Sequence, residues 1–168
     1  MIEELFENAP SVYVDMDGVL VDFAKGAYEL VGGPLSIREN KKAFWKKIKQ
    51  MPVDEMIEFW AGLDWTSDGQ ALWNALQKYN PIILSSPGHS MRKEIEQAKS
   101  MWIQRHLAPR PTKVIYEVNK YVHASPGAIL IDDMSKNIDP WNEHGGIGIL
   151  HTAGHAEQTV SMVRRILS

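Results

Sequence analysis

The sequence predicts an α/β fold: a parallel sheet covered by helices on both faces, with a small helical cap inserted after the first strand. Three observations carry this. Short apolar runs, several rich in β-branched residues, alternate with stretches whose apolar residues recur at helical spacing. Three of those runs stop abruptly at polar residues, Asp15/Asp17, Ser85/Ser86 and Asp132/Asp133. Residues 24–65 show no strand pattern, so they divide a core of residues 1–23 and 66–168 around the insertion.

Taken in order, Val12-Tyr13-Val14 reads as a buried strand that ends in Asp15-Met16-Asp17-Gly18. A helix over 23–31 is stopped by Gly32-Gly33-Pro34. Ser36 and Glu39 have capping-box spacing, which starts a second helix at Ser36. It bears Lys41, Lys42, Lys46, Lys47 and Lys49, read as a solvated face. A third helix fits 54–61. A fourth fits 67–79, with Ser67 and Gln70 as another capping box. The run from Pro81 to Leu84 is a second strand ending at Ser85-Ser86. A long helix over 90–107 follows, with Ile95, Ala98 and Trp102 on one face. Strands are expected at 113–116, 128–133 and 146–150. The last helix, 155–167, buries Val160, Val163 and Leu167.

Composition narrows the functional classes. A chain of 168 residues with 44% hydrophobic content fits one domain with a real core. A net charge of −3 gives no bulk attraction to nucleic acid or an anionic membrane. With no cysteine, disulfides, thiolate catalysis and thiolate metal sites are excluded. No apolar run is long enough to span a bilayer. The start, Met1-Ile2-Glu3-Glu4-Leu5, is acidic and lacks the pattern of a signal peptide, so a cytoplasmic protein is expected.

The acid pair at the end of the first strand is the chemical focus. On a continued strand Asp15 and Asp17 point to the same side, and Gly18 lets the backbone turn. Such a pair alone also fits a solvated turn. Two carboxylates at the end of an apolar strand are costly without a cation, and a hard ion such as Mg²⁺ relieves that cost. Parallel sheets bind ligands at the carboxyl ends of their strands. Three polar strand ends in one chain therefore point to a site there.

These residues carry a family resemblance. Asp15-x-Asp17-Gly18-Val19, the strand ending in Ser85, then Lys120, then Leu130-Ile131-Asp132-Asp133 resemble the four ordered motifs of the haloacid dehalogenase-like phosphatases, which have a Rossmann-like core. Asp15 to Phe23, Ser85-Ser86-Pro87, Trp102-x-x-x-His106-Leu107 and Leu130 to Asp133 resemble more narrowly the 5′(3′)-deoxyribonucleotidase branch, whose helical cap also follows the first motif. The resemblance implies a Mg²⁺-dependent phosphomonoesterase acting on nucleoside monophosphates. Asp15 is then the nucleophile that forms an aspartyl-phosphate. Asp17 is the general acid and base, lending its backbone carbonyl to the metal. Asp15 and Asp132 supply carboxylate ligands, with Asp133 helping to hold the ion or its waters. Ser85 bonds a phosphoryl oxygen, and Lys120 offsets charge on the phosphate and on Asp15. Lys113 is the alternative lysine; it is expected at the start of a strand, whereas Lys120 lies in the loop before the Asp132 strand.

The cap is expected to choose the substrate. It is rich in aromatics, and aromatic faces can stack on a nucleobase, although aromatics at helical spacing more often fill a core. Phe23 is the first candidate for base contact, with Trp45 and Trp60 behind it and Ser86 beside the phosphate. His89, His106, His144, His151 and His155 form no zinc spacing. His151 and His155 are read as surface or supporting residues. The expected partner is a small-molecule phosphomonoester, with nucleic acid disfavoured, no membrane, and a homodimer compatible with the sequence. Two other readings stay open: a 3′-phosphatase on nucleic-acid ends, for which the lysine cluster speaks, and a non-catalytic phosphate-binding module.

Overall fold

A computed structural model describes residues 10–168. The acidic N-terminal stretch Met1 to Leu5 lies outside them. The predicted class is the observed one. Five strands, β1 (Val12–Val14), β2 (Ile82–Ser85), β3 (Val114–Tyr116), β4 (Ile129–Asp132) and β5 (Ile147–Leu150), form one sheet in the order β3-β2-β1-β4-β5. Every neighbouring pair is parallel, with Tyr13 level with Ile82 on one side and Leu130 on the other. The inner strands have both faces covered, so they read as continuous apolar runs, and β4 is buried at all four residues.

The chain lays β2 and β3 on one side of β1, and β4 and β5 on the other. The winding thus reverses between β1 and β4, where their carboxyl ends leave a crevice. The acids of both strands stand at that reversal.

Among the described residues, seven helices connect and cover the sheet: α1 (Phe23–Val31), α2 (Arg38–Gln50), α3 (Val53–Ala61), α4 (Gly69–Leu76), α5 (Arg92–His106), α6 (Ser135–Glu143) and α7 (Ala156–Ile166). The start of α1 is set by Asp22, whose carboxylate accepts from the Lys25 amide at 3.1 Å. Its end is set by Gly32, left-handed at φ 78°, whose N–H bonds the Tyr28 carbonyl.

Both capping-box expectations need correction. The second cap helix starts at Arg38 rather than Ser36, and Ile37 at its N-cap makes no side-chain bond. Ser36 belongs instead to a turn in which the Ile37 amide bonds the Pro34 carbonyl, and Asn40 Nδ2 bonds the same oxygen at 3.0 Å. Helix α4 starts at Gly69, not Ser67, and gives way to a 3₁₀ turn at Gln77–Tyr79. Here Asp68 spends its carboxylate on the Ala156 amide at the start of α7, at 2.8 Å, rather than capping its own helix. In the last helix Val160 and Val163 are buried as expected, whereas Leu167 is only half-buried.

The helical insertion is welded to the sheet. Phe44, Ile48, Met56, Trp60 and Leu63 from the insertion share one buried cluster with Val12, Val14 and Ile83. At the seam, the Trp102 indole N–H on α5 bonds the Leu63 carbonyl at 2.8 Å, and Trp65 packs edge-on against Trp102 at 4.9 Å. An exposed Arg105–Glu58 fork, with its shorter arm at 2.6 Å, closes the same seam, where solvent screens it. Among the described residues, no helix is long and apolar enough to cross a membrane.

Candidate active site

The backbone after β1 creates the site. Asp15 still pairs through its amide with Ile131 of β4 at 3.0 Å. The chain then coils tightly: the amides of Val19, Leu20 and Val21 all reach the Met16 carbonyl, and the Gly18 amide bonds Val21. Gly18 has φ +81°, and a Cβ there would collide with the Asp133 carboxylate. Only glycine satisfies both the left-handed turn and the close approach of the two acid-bearing loops. The result aims Asp15 and Asp17 into one crevice with different neighbours.

Asp15 is 6% exposed and faces Lys120, whose ammonium lies 2.8 Å from Asp15 Oδ1 and 2.7 Å from Asp132 Oδ2. Lys120 is 2% exposed, held in a short 3₁₀ turn at Lys120–His123. Asp132 is fully buried and hydrogen-bonded at both oxygens: Oδ1 accepts from the Met134 amide, and Oδ2 accepts from Lys120 and Asn137 Nδ2. Lys113, the alternative lysine, is exposed beside the start of β3.

The electrostatics are those of a cluster short of positive charge. Burial pushes the Asp15 carboxyl up to about 7, partly countered by Lys120 and reinforced by Asp132 and Asp17. Loss of hydration and repulsion from Asp132 push Asp133 up to about 6. Burial opposes charge on Lys120, but Asp15 and Asp132 outweigh it and raise its pKa. Carboxylate oxygens of Asp15, Asp132 and Asp133 lie within 4.8 Å of one another. An all-oxygen donor set of this kind, its carboxyls raised by burial and by one another, fits a small hard divalent cation. The Asp17 side chain is not in this cluster.

Asp17 turns the other way, toward a residue that the sequence reading missed. Lys99 of α5 is 4% exposed, and its ammonium meets Asp17 Oδ2 at 3.0 Å, Ser85 Oγ at 2.7 Å and the Ser86 carbonyl at 2.9 Å. A signal was present: Ile95, Ala98, Lys99 and Trp102 follow the i, i+3, i+4, i+7 pattern, so Lys99 interrupts an apolar stripe. Asn137 was also missed. One turn into α6, it has no pattern to mark it.

Asp15, Asp17, Ser86, Lys99, Lys120 and Asp133 line a cavity of about 340 Å³, with Phe23 at its edge. Ser85 is fully buried beneath it. The two tryptophans are placed elsewhere. Trp60 is 4% exposed and packs against Phe23, Phe44 and Phe59 in the cap core. Trp45 lines a separate surface cleft with Arg38, Lys41, Lys42, Lys46 and Lys49. Neither lines the acid-floored cavity; Trp60 is consumed by packing and only Phe23, at the start of α1, reaches it.

Of the two readings of His151, surface or supporting, burial excludes the first: it is 2% exposed, and its Nδ1 shares a 2.7 Å hydrogen bond with Thr159 of α7. Burial lowers its pKa. His155 is exposed as expected.

No family model matches the chain, and neither does any curated protein. Its architecture does recur among solved structures. It is similar to a hydrolase from Streptococcus pneumoniae TIGR4, with a TM-score of 0.53 and 14% identity over 91% of this chain and 99% of that one. The fold is one that a hydrolase uses. The chain is also similar to an uncharacterized protein from Corynebacterium glutamicum ATCC 13032 Kitasato, with 16% identity and a TM-score of 0.45 over 95% and 96% of the two chains.

Proposed function

We propose that the protein is a Mg²⁺-dependent phosphomonoesterase of the haloacid dehalogenase-like type, acting on nucleoside monophosphates and in particular deoxyribonucleotides. The observation that carries this reading is the buried Asp15–Lys120–Asp132 bridge at the reversal between β1 and β4. A carboxylate at the floor of a cavity, a lysine beside it and two further acids supply a nucleophile, positive charge and a cation site together.

Asp15 attacks phosphorus, and the bond from phosphorus to the leaving oxygen breaks. Asp17 delivers a proton to that oxygen, releasing the alcohol and leaving an aspartyl-phosphate on Asp15. Water then attacks the phosphorus, its proton passes to the Asp17 carboxylate, and phosphate departs with Asp15 restored. Lys120 has three N–H donors and uses two on Asp15 and Asp132, so the third is available to a phosphoryl oxygen. Ser85 donates to another. Asp15, Asp132, Asp133 and the Asp17 carbonyl would hold Mg²⁺, which when bound neutralises phosphate charge and keeps Asp15 ionised.

Phe23 lines the cavity, which supports its reading as the contact to the nucleoside. The lysine-bearing cleft shares no lining residue with the acid-floored cavity. That favours a mononucleotide over a nucleic-acid end, which would need a basic track leading to the phosphate. The test is phosphate release from a panel of nucleoside monophosphates and a 3′-phosphorylated oligonucleotide. Release from the mononucleotides, abolished by EDTA and by Asp15→Asn, is the expected result. Turnover that survives Asp15→Asn would defeat the mechanism.

A further inference from the structure

The buried stripe of α5 is apolar except at one position. Ile95, Ala98, Trp102 and Ile103 fill it, and Lys99 stands among them. An ammonium buried this deeply is costly unless every proton is accepted, and a methionine would pack the stripe without that cost. Lys99 meets the condition fully. Its three N–H donors go to Asp17 Oδ2, Ser85 Oγ and the Ser86 carbonyl, so none is left for a ligand. Its partners come from two strand ends, the acid loop after β1 and the close of β2.

We propose, on the footing of the phosphomonoesterase reading, that Lys99 is a positioning residue that sets the two proton-handling groups of the site, Asp17 and Ser85. For Ser85, the hydroxyl oxygen accepts from Lys99, so its own proton must leave in another direction. The same ammonium also binds the Ser86 carbonyl and Asp17 Oδ2, so the hydroxyl proton points away from the positive charge that holds all three groups. The Ser85 proton is thereby kept for a phosphoryl oxygen. For Asp17, Oδ2 is pinned, while Oδ1 accepts no hydrogen bond from the described residues. Oδ1 is then the oxygen that trades a proton with the leaving group and with water.

The experiment compares wild type with Lys99→Met in Mg²⁺, after thermal melting confirms that the variant folds. Two readouts separate positioning from simple support of the fold. The first is kcat/KM on 4-nitrophenyl phosphate, whose leaving group departs without a proton, and on a nucleoside 5′-monophosphate, whose alkoxide needs one. The loss should be at least about 10-fold greater for the nucleotide, within the range that general acid catalysis supplies. The second is the affinity for inorganic phosphate by calorimetry, which should weaken about 5- to 10-fold as the Ser85 hydrogen bond loses its direction. A folded variant with equal losses on both esters, or with none, overturns the assignment for Asp17; unchanged phosphate affinity overturns it for Ser85. If Lys99→Met does not fold, Lys99→Gln, which keeps donors without the charge, carries the same comparison. A wild type that hydrolyses neither ester defeats the phosphomonoesterase reading instead. Phosphate affinity then still decides whether Lys99 orients Ser85.

Discussion

Asp15 and Asp17 are two residues apart, yet each meets its own buried lysine, and the two lysines are used differently. Lys120 is shared between carboxylates, Asp15 on β1's end and Asp132 on β4's, and keeps one donor in reserve. Lys99 joins one carboxylate to a hydroxyl and a carbonyl and keeps none. The first arrangement leaves a cluster of acids that outnumbers its cation, which suits it to bind a metal and a phosphate. The second is saturated, which suits it to hold groups still. The difference teaches that two like residues on one loop acquire separate chemistry from what the sheet brings opposite them.

The comparison breaks most completely at Asp15. Asp15→Asn removes the nucleophile and should lower kcat by at least about 10³-fold on every ester, read by phosphate release. Lys120→Met comes next. It should cost roughly 10²- to 10³-fold in kcat/KM, the scale of a lost electrostatic stabiliser, with no dependence on the leaving group. That uniformity sets it against the leaving-group-dependent loss expected of Lys99→Met. A Lys120→Met effect confined to alkyl esters would show that the two lysines had been assigned the wrong way round.

A smaller effect concerns stability. The Asp15 carboxyl is raised from 3.8 to about 7. The folded protein therefore retains a proton that the unfolded chain has already released. The stability this contributes is full below about pH 4 and is lost as pH rises through 7. In metal-free protein, Asp15→Asn should thus gain on wild type with rising pH from about 4 to 7, so that its Tm relative to wild type is several °C higher at pH 8 than at pH 4. Mg²⁺ should raise the wild-type Tm at pH 8 and leave Asp15→Asn less changed. A constant Tm difference across that range would show that Asp15 is not the strained group. Least of all, Phe23→Ala should raise KM for nucleotides several-fold while leaving 4-nitrophenyl phosphate nearly unaffected, since only the nucleoside reaches that ring.

Much of this site was legible along the chain because strand ends are local events. Asp15, Ser85 and Asp132 each close an apolar run, and a parallel sheet must gather such ends on one edge. Lys120 could be preferred over Lys113 because one follows β3 and the other precedes it. The capping boxes at Ser36 and Ser67 misled because spacing alone cannot register that a turn or another helix has already taken the partner. The cap aromatics misled for a related reason. Periodicity shows that Trp45 and Trp60 belong to helices, but which face meets the core depends on how α2 and α3 pack, and Trp60 fills that core.

By itself, then, the sequence determined the parallel α/β class, the insertion after the first strand and the order of the acids, all set by local pattern and strand periodicity. Only the tertiary structure decided which cation each acid meets. Lys99 lies 82 residues from Asp17 in the chain, and nothing but the docking of α5 beneath the ends of β1 and β2 brings its charge to that carboxylate.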